Sequence, residues 1–209
     1  MDWKSFLNEF VRTPLFHSSM LSIFPDAKQH IPVQLSRWVK AGKLIQVRRG
    51  WYLIAAPYRS QEIPLPVIAN RVAHPSYLSL DWALHYYDLI PEHVPNPTSV
   101  TTGRGSRLLF RDSVLIYYHI QPSFFNGYEQ LDYDGHAMTV ALPEKALLDK
   151  IYLFSRSASF TREWLEELRL QNLEQLDLRR FRALAGKIRR KGWQKILELT
   201  VDYLKEQVT

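Results

Sequence analysis

Residues 31–54 read IPVQLSRWVKAGKLIQVRRGWYLI, and the fold follows from how this stretch divides. Pro32 suits the first turn of a helix, where its missing N–H costs nothing and its fixed φ is already helical. Leu35, Trp38 and Val39 recur at helical spacing and make one apolar face. Ala41-Gly42 ends the helix, with Gly42 suited to the left-handed conformation beyond its last turn. Leu44–Val47 is β-prone, Arg48-Arg49-Gly50 is a basic turn, and Trp51–Ile54 returns as a second strand. A helix followed at once by a short basic hairpin is the element order of a winged helix-turn-helix. Gln34, Ser36, Arg37 and Lys40 lie on the helix's outer face. Such a helix fits a major groove, where these side-chain types read base edges and hold phosphates. A solvated surface would also account for basic residues on an exposed helix. Two features favour DNA: positive charge sits on both helix and turn with no acidic residue between Asp26 and Glu62, and the helix has a candidate partner upstream.

Upstream, Asp2 is a candidate N-cap for a helix in which Trp3, Phe6, Leu7 and Phe10 repeat at i, i+3, i+4, i+7. Thr13-Pro14 ends it, because a residue before proline avoids the helical region. Leu15-Phe16 is a short strand of the kind that flanks a wing. Ser18 or Ser19 can cap a second helix carrying Met20, Leu21, Ile23 and Phe24, and Pro25-Asp26 opens the connection onward. These elements predict a winged helix over residues 1–57 with Phe6, Phe10, Phe24 and Trp38 in its core. Residues 58–66, rich in proline and polar side chains, are the expected linker.

Residues 67–209 carry a different pattern, expected to be an α+β domain with a small, mostly antiparallel sheet and several helices. Pro66–Val72 suggests a short helix. Ser79 is a candidate N-cap for a helix that Pro91 closes. Ser99–Thr102, Leu108–Phe110, Val114–Ile120 and Met138–Leu142 are β-prone. Pro143-Glu144 begins a helix that is apolar nearly all round and so is expected to be buried. Thr161 opens another, and Leu176–Lys191 and Trp193–Lys205 suggest two more.

The whole chain of 209 residues is 46% hydrophobic and 23% charged, the balance of an ordinary globular protein. With no cysteine, disulfides and thiolate zinc sites are excluded, which fits a reducing cytoplasm. No stretch is long enough to span a membrane, so no membrane partner is expected. The net charge of +6 is uneven. Residues 1–57 hold eight Lys/Arg against three Asp/Glu; residues 58–150 hold seven against ten, and residues 151–209 twelve against eight. Positive charge gathers at the presumed DNA module and again near the C-terminus.

Three segments, KLIQVRRGWYLI at 43–54, PSYLSLDWALHYYDLIPE at 75–92 and ALPEKALLDKIYL at 141–153, together resemble the AbiEi family of antitoxins. The resemblance runs from about Trp3 to the end and rests on the order and spacing of the segments. It implies a type IV toxin–antitoxin role: a winged helix that binds double-stranded promoter DNA and represses its own operon, and a C-terminal domain that counters a nucleotidyltransferase-type toxin without a lasting complex. The DNA-contact roles it implies fall on Gln34, Arg37, Lys40, Arg48 and Arg49. The residues themselves add Ser36 on the helix and Lys43, which with Arg48 and Arg49 would hold phosphates. Segments 75–92 and 141–153 are apolar in texture and are expected to be core.

Nothing in the sequence points to catalysis. Asp132 and Asp134 precede Glu144-Lys145 at the wrong spacing for a metal-dependent nuclease, and a solvated turn with favourable helix N-terminal charge accounts for them. TGRGS at 102–106 lacks a P-loop lysine and suggests a hairpin turn. The seven histidines show no metal-binding spacing, and Ser19, Ser76 and Ser79 have no nucleophile context. No cofactor or metal is expected. Lys187, Arg189, Arg190 and Lys191 form a basic cluster that is either a solvated helix face or a second nucleic-acid surface. Two alternatives stay open: a protein-interaction module that neutralises a toxin by direct binding, and a stand-alone repressor.

Overall fold

Asp2 opens the first helix, α1 (Trp3–Phe10), by accepting from the Ser5 backbone N–H at 3.0 Å and the Ser5 hydroxyl at 2.7 Å. Those bonds push the Asp2 carboxyl down to about 2. The computed structural model describes residues 1–24, 30–155 and 160–208 and divides at 68/69 into two units. It is a mixed α/β structure with one sheet of three strands and one of six. Among the described residues no helix is long and apolar enough to cross a membrane.

In residues 1–68, β1 (Leu15–His17), β2 (Leu44–Arg48) and β3 (Trp51–Ile54) form an antiparallel sheet in the order β1-β3-β2. Leu15 pairs with Leu53 and Leu44 with Ile54, and a bulge at Val47 brings Arg48 opposite Trp51. Helix α2 (Ile31–Lys40) has proline in its first turn and presents Leu35 and Trp38 inward. Its C-terminal end is closed by Gly42 at φ +67° together with Gly42 N–H to Val39 O and Lys43 N–H to Trp38 O, the paired bonds of a Schellman motif. Phe6, Phe10, Phe16, Leu21, Leu35, Trp38, Leu44 and Ile54 make the core, with Phe24 packed half-buried against it.

The helix expected from Ser18 or Ser19 is instead a 3-10 stretch, Ser18–Ile23, capped by the His17 ring. The Ser18 N–H donates to Gly50 O at 2.7 Å, so the chain is still tied to the hairpin where an α-turn would start. The few residues left favour the tighter helix. The connection expected at Pro25-Asp26 lies outside the described residues.

Helix α3 (Leu65–Val72) runs across the division. In residues 69–209, six strands follow: β4 (Ser76–Leu78), β5 (Thr98–Thr101), β6 (Ser106–Phe110), β7 (Ser113–His119), β8 (Tyr128–Tyr133) and β9 (His136–Ala141). Their order is β6-β7-β5-β4-β9-β8. The β4–β9 and β5–β7 pairings are parallel and the other three antiparallel, so the sheet is mixed with most pairings antiparallel, and it is larger than the small one expected. Two strands were not anticipated. β4 has only three residues, too few to show periodicity, and β8 is a mostly exposed edge strand of mixed polarity. TGRGS is not a hairpin turn, because β7 lies between β5 and β6 in the sheet. The chain crosses β7 there, and Gly105 passes so close that a Cβ would sit 3.1 Å from Tyr117 O.

Among the described residues five α-helices accompany this sheet: α4 (Leu80–Tyr86), α5 (Pro143–Phe154), α6 (Arg162–Glu167), α7 (Leu178–Ala185) and α8 (Trp193–Val208). Helix α4 stops before Pro91: Asp88 takes a left-handed φ of +55° and the Leu89 N–H closes on Leu84 O. The helix expected over Leu176–Lys191 covers only Leu178–Ala185, and the residues beyond it form the connection to α8.

Candidate nucleic-acid interface

The residues singled out in the N-terminal unit fall on successive elements, α2 and the β2–β3 hairpin, except Lys43, which lies in the three residues that join them. Ser36, Arg37 and Lys40 are exposed on α2, and Gln34 is half-buried. Arg37 and Lys40 are three apart, so they share a face, and Gln34 precedes Arg37 by the same step. Both cations lie in the last turn, where positive charge also suits the helix dipole. Arg48 and Arg49 are exposed at the hairpin tip. Arg37, Lys40 and Arg49 make no ion pair among the described residues. Lys43 differs from the rest: it is half-buried, with its Nζ 5.1 Å from the centre of the Trp3 ring. That cation–π contact holds the stem against the core and leaves Lys43 a weaker candidate for phosphate than Arg49.

The hairpin tip is held in place from below. Gly50 has φ +83°, and a Cβ there would lie 2.5 Å from His17 Nε2. The His17 ring bonds the Ser19 hydroxyl at 2.8 Å and meets Trp51 edge-on at 5.4 Å. Strand β1 therefore fixes where the two arginines project.

In the C-terminal unit the basic cluster divides into one internally bonded side chain and three exposed ones. Arg190 is an internal tie: its guanidinium donates to Tyr152 O at 3.0 Å, the Ser155 hydroxyl at 3.1 Å and Ser155 O at 3.0 Å. It is removed from the candidate surface, because those bonds satisfy it within the fold. Lys187, Arg189 and Lys191 are exposed.

No family model matches the chain, and no curated protein matches it. The AbiEi resemblance therefore stands on the three quoted segments alone.

Two of those segments hold a buried polar cluster that an apolar reading of them overlooked. Lys145 and Asp149 form an ion pair with neither side chain exposed. Asp149 Oδ2 also accepts from the Ser79 hydroxyl at 2.7 Å and the Tyr77 hydroxyl at 3.0 Å. The Lys145 ammonium sits 3.5 Å from the centre of the Phe124 ring. Burial pushes the Asp149 carboxyl up and the Lys145 ammonium down, each opposed by the charge of the other. Burial, then the Asp149 charge, raises the Tyr77 phenol far above its ordinary range.

Glu144 is buried too: its Oε1 accepts the Asp177 N–H at 2.8 Å, and Arg180 approaches Oε2 at 3.5 Å. Glu144 does stand in the first turn of the buried α5, as expected, but its carboxylate is bonded inside the fold. The visible hint was Lys145 and Asp149 four apart on an otherwise apolar helix, the spacing of an intrahelical pair. Ser79 is likewise spent on Asp149 and does not cap α4. Thr98 does so in its place, its Oγ1 accepting the Trp82 N–H at 3.1 Å and donating to Ser79 O at 2.6 Å. Asp132 is in β8, and its carboxylate accepts the Gly135 N–H of the β8–β9 turn at 2.9 Å.

A cleft of about 440 Å³ in this unit is lined by Ile90, Val94, Pro95, Ile116 and Leu168, with Glu167 beside them. Two further carboxylates at it are engaged: Asp81 with Lys150 and Glu92 with Arg169. Among the described residues no group of three His, Asp or Glu side chains is placed to hold a metal ion.

Proposed function

We propose that the chain is a DNA-binding autorepressor and antitoxin. Its N-terminal unit acts as a winged helix-turn-helix on promoter DNA of its own operon, and its C-terminal unit counters a nucleotidyltransferase-type toxin. The observation that carries the DNA half is the pairing of α2 with a bulged hairpin, where Arg37, Lys40 and Arg49 are exposed with no ion pair among the described residues. In this reading α2 enters the major groove, with Gln34, Ser36 and Arg37 at base edges. The hairpin tip lies along the backbone, where Arg48 and Arg49 meet phosphates. The antitoxin half is supported by the resemblance of residues 75–92 and 141–153, and the reading assigns no catalysis and no cofactor to the chain.

The test is fluorescence anisotropy on duplex DNA from upstream of the gene, against a scrambled duplex, over a salt series. Tight, operator-selective binding with a steep negative slope in log salt is expected. Weak binding equal on both duplexes would overturn the DNA half. Rescue of growth on co-expression with the toxin encoded alongside tests the other half, and no rescue would overturn it.

A second reading has its own observation. Met20, Ile23 and Val33 are exposed apolar side chains on the 3-10 stretch and α2, and Ile23 is 57% exposed. A docking surface for a protein would use such residues. Stable co-purification of the toxin with salt-insensitive, negligible DNA binding would favour it.

A further inference from the structure

Between Asp177 and Glu198 the chain contains no carboxylate and eight Lys or Arg residues. The structure accounts for two of them: Arg180 faces buried Glu144, and Arg190 is tied to Tyr152 and Ser155. The other six, Arg179, Arg182, Lys187, Arg189, Lys191 and Lys195, are exposed and make no ion pair among the described residues. Arg179 and Arg182 are three apart on α7, away from the buried Phe181, Leu184 and Ala185. Lys187, Arg189 and Lys191 follow in the α7–α8 connection, and Lys195 lies in the first turn of α8.

The element is rigidly seated: Ile188 is buried between the exposed cations, and Trp193 Nε1 donates to Ala185 O at 3.0 Å. A solvated face commonly mixes the two signs of charge, whereas residues 178–197 carry only positive charge and are anchored from behind. The aromatic rings of the segment decide what kind of polyanion fits. Phe181 and Trp193 are both buried, so the arc offers no ring for stacking a base. Single-strand binding surfaces combine cations with exposed aromatic platforms, and this one has only the cations. Three of its six exposed cations, Lys187, Arg189 and Lys191, lie in the connection between α7 and α8, a placement that suits contact with a backbone more than reading of bases.

We infer that this arc is a phosphate-binding surface for a nucleic-acid duplex, contacting the backbone without sequence preference. It is independent of whether α2 reads an operator. The test uses the full chain and the triple substitution Lys187→Gln/Arg189→Gln/Lys191→Gln, whose exposed positions leave the fold intact by thermal melt. Binding is measured over a salt series to scrambled duplex DNA, duplex RNA and single-stranded DNA of one length.

The expected result is that the slope of log K against log salt becomes shallower by about 0.9 per lost contact on duplex DNA, about 2.7 in all. The same fall on duplex RNA would place the contact on any duplex backbone; a fall on DNA alone would make DNA the ligand. The control Arg104→Gln/Arg107→Gln, which removes two exposed cations on and beside β6, leaves the slope unchanged. An unaltered slope in the triple variant on both duplexes overturns the assignment. So does an equal fall per charge in the control, or a loss confined to single strands. Operator selectivity is the ratio between operator and scrambled duplex, so its absence would sink the repressor reading and leave this measurement standing.

Discussion

Replacing Lys145 with methionine leaves Asp149 as a lone carboxylate in a site from which water is excluded. Both side chains of the pair are fully buried, and the two remaining donors, the Ser79 and Tyr77 hydroxyls at 2.7 and 3.0 Å, are neutral. Removing one partner of a buried ion pair costs about 3–5 kcal/mol, because the survivor's desolvation is no longer offset. The cation–π contact with Phe124 is lost as well. Burial already raises the Asp149 carboxyl, and without the ammonium it rises further. A group whose pKa is raised in the folded state contributes stability at low pH and loses it as pH climbs through the folded value. Lys145→Met is therefore more destabilised at pH 8 than at pH 5.

Urea unfolding at both pH values reads the loss, and hydrogen exchange of α5 amides assigns it to this unit. The companion Lys145→Met/Asp149→Asn restores neutrality while keeping an acceptor for Ser79 and Tyr77, so at pH 8 it is more stable than Lys145→Met alone. A loss below about 1 kcal/mol, or one that is the same at both pH values, would refute the argument that the carboxylate is held by its buried counter-ion.

Arg37→Ala costs about 1–3 kcal/mol of discrimination between operator and scrambled duplex, whereas Arg48→Ala weakens both alike and flattens the salt slope by about 1; equal behaviour of the two variants removes the division of labour. Gly50→Ala places a Cβ at φ +83° beside the His17 ring and destabilises the N-terminal unit by about 1–3 kcal/mol, read by urea titration of Trp51 fluorescence. A variant as stable as the parent would show that the tip is not held by β1. Because hydrogen bonds from Ser5 lower the Asp2 carboxyl to about 2, its capping contribution is complete above the ordinary carboxylate range and fades as pH falls through 2. Asp2→Asn abolishes that acid-dependent step in α1 exchange, and a persisting step would assign it elsewhere. Tyr77, raised by burial, stays un-ionised in the folded protein, so absorbance titration above pH 10 counts as many phenols in the parent as in Tyr77→Phe, and one more in the parent would refute it. Folding stability falls there as pH rises.

Much of the N-terminal unit was legible from local rules. The Asp2 cap, the proline-led α2 with its Gly42 stop, the hairpin through Arg48-Arg49-Gly50 and the short strand at Leu15 each depend on residues within a few positions of one another. The candidate interface was legible for the same reason: exposure of Arg37 and Lys40 follows from helical periodicity once Leu35 and Trp38 are known to face inward. In the C-terminal unit the Thr161 cap and the Pro143 helix start were likewise local signals.

What escaped that reading depended on partners distant in sequence. Ser79 has the right side chain and position for a cap, yet Asp149 takes its hydroxyl from 70 residues away and Thr98 takes the capping role from 16 residues beyond Trp82. Arg190 belongs to a basic run, but Tyr152 of α5 and Ser155 just beyond it supply carbonyls 38 and 35 residues back that make it internal. β4 becomes a buried strand of the mixed sheet only because β5 and β9 flank it. Sequence by itself determined where helices and turns begin and stop and where positive charge accumulates, since dihedral preference and periodicity are short-range properties. Tertiary structure alone decided which charges are buried in pairs and which remain at the surface, because desolvation depends on what the rest of the chain brings alongside.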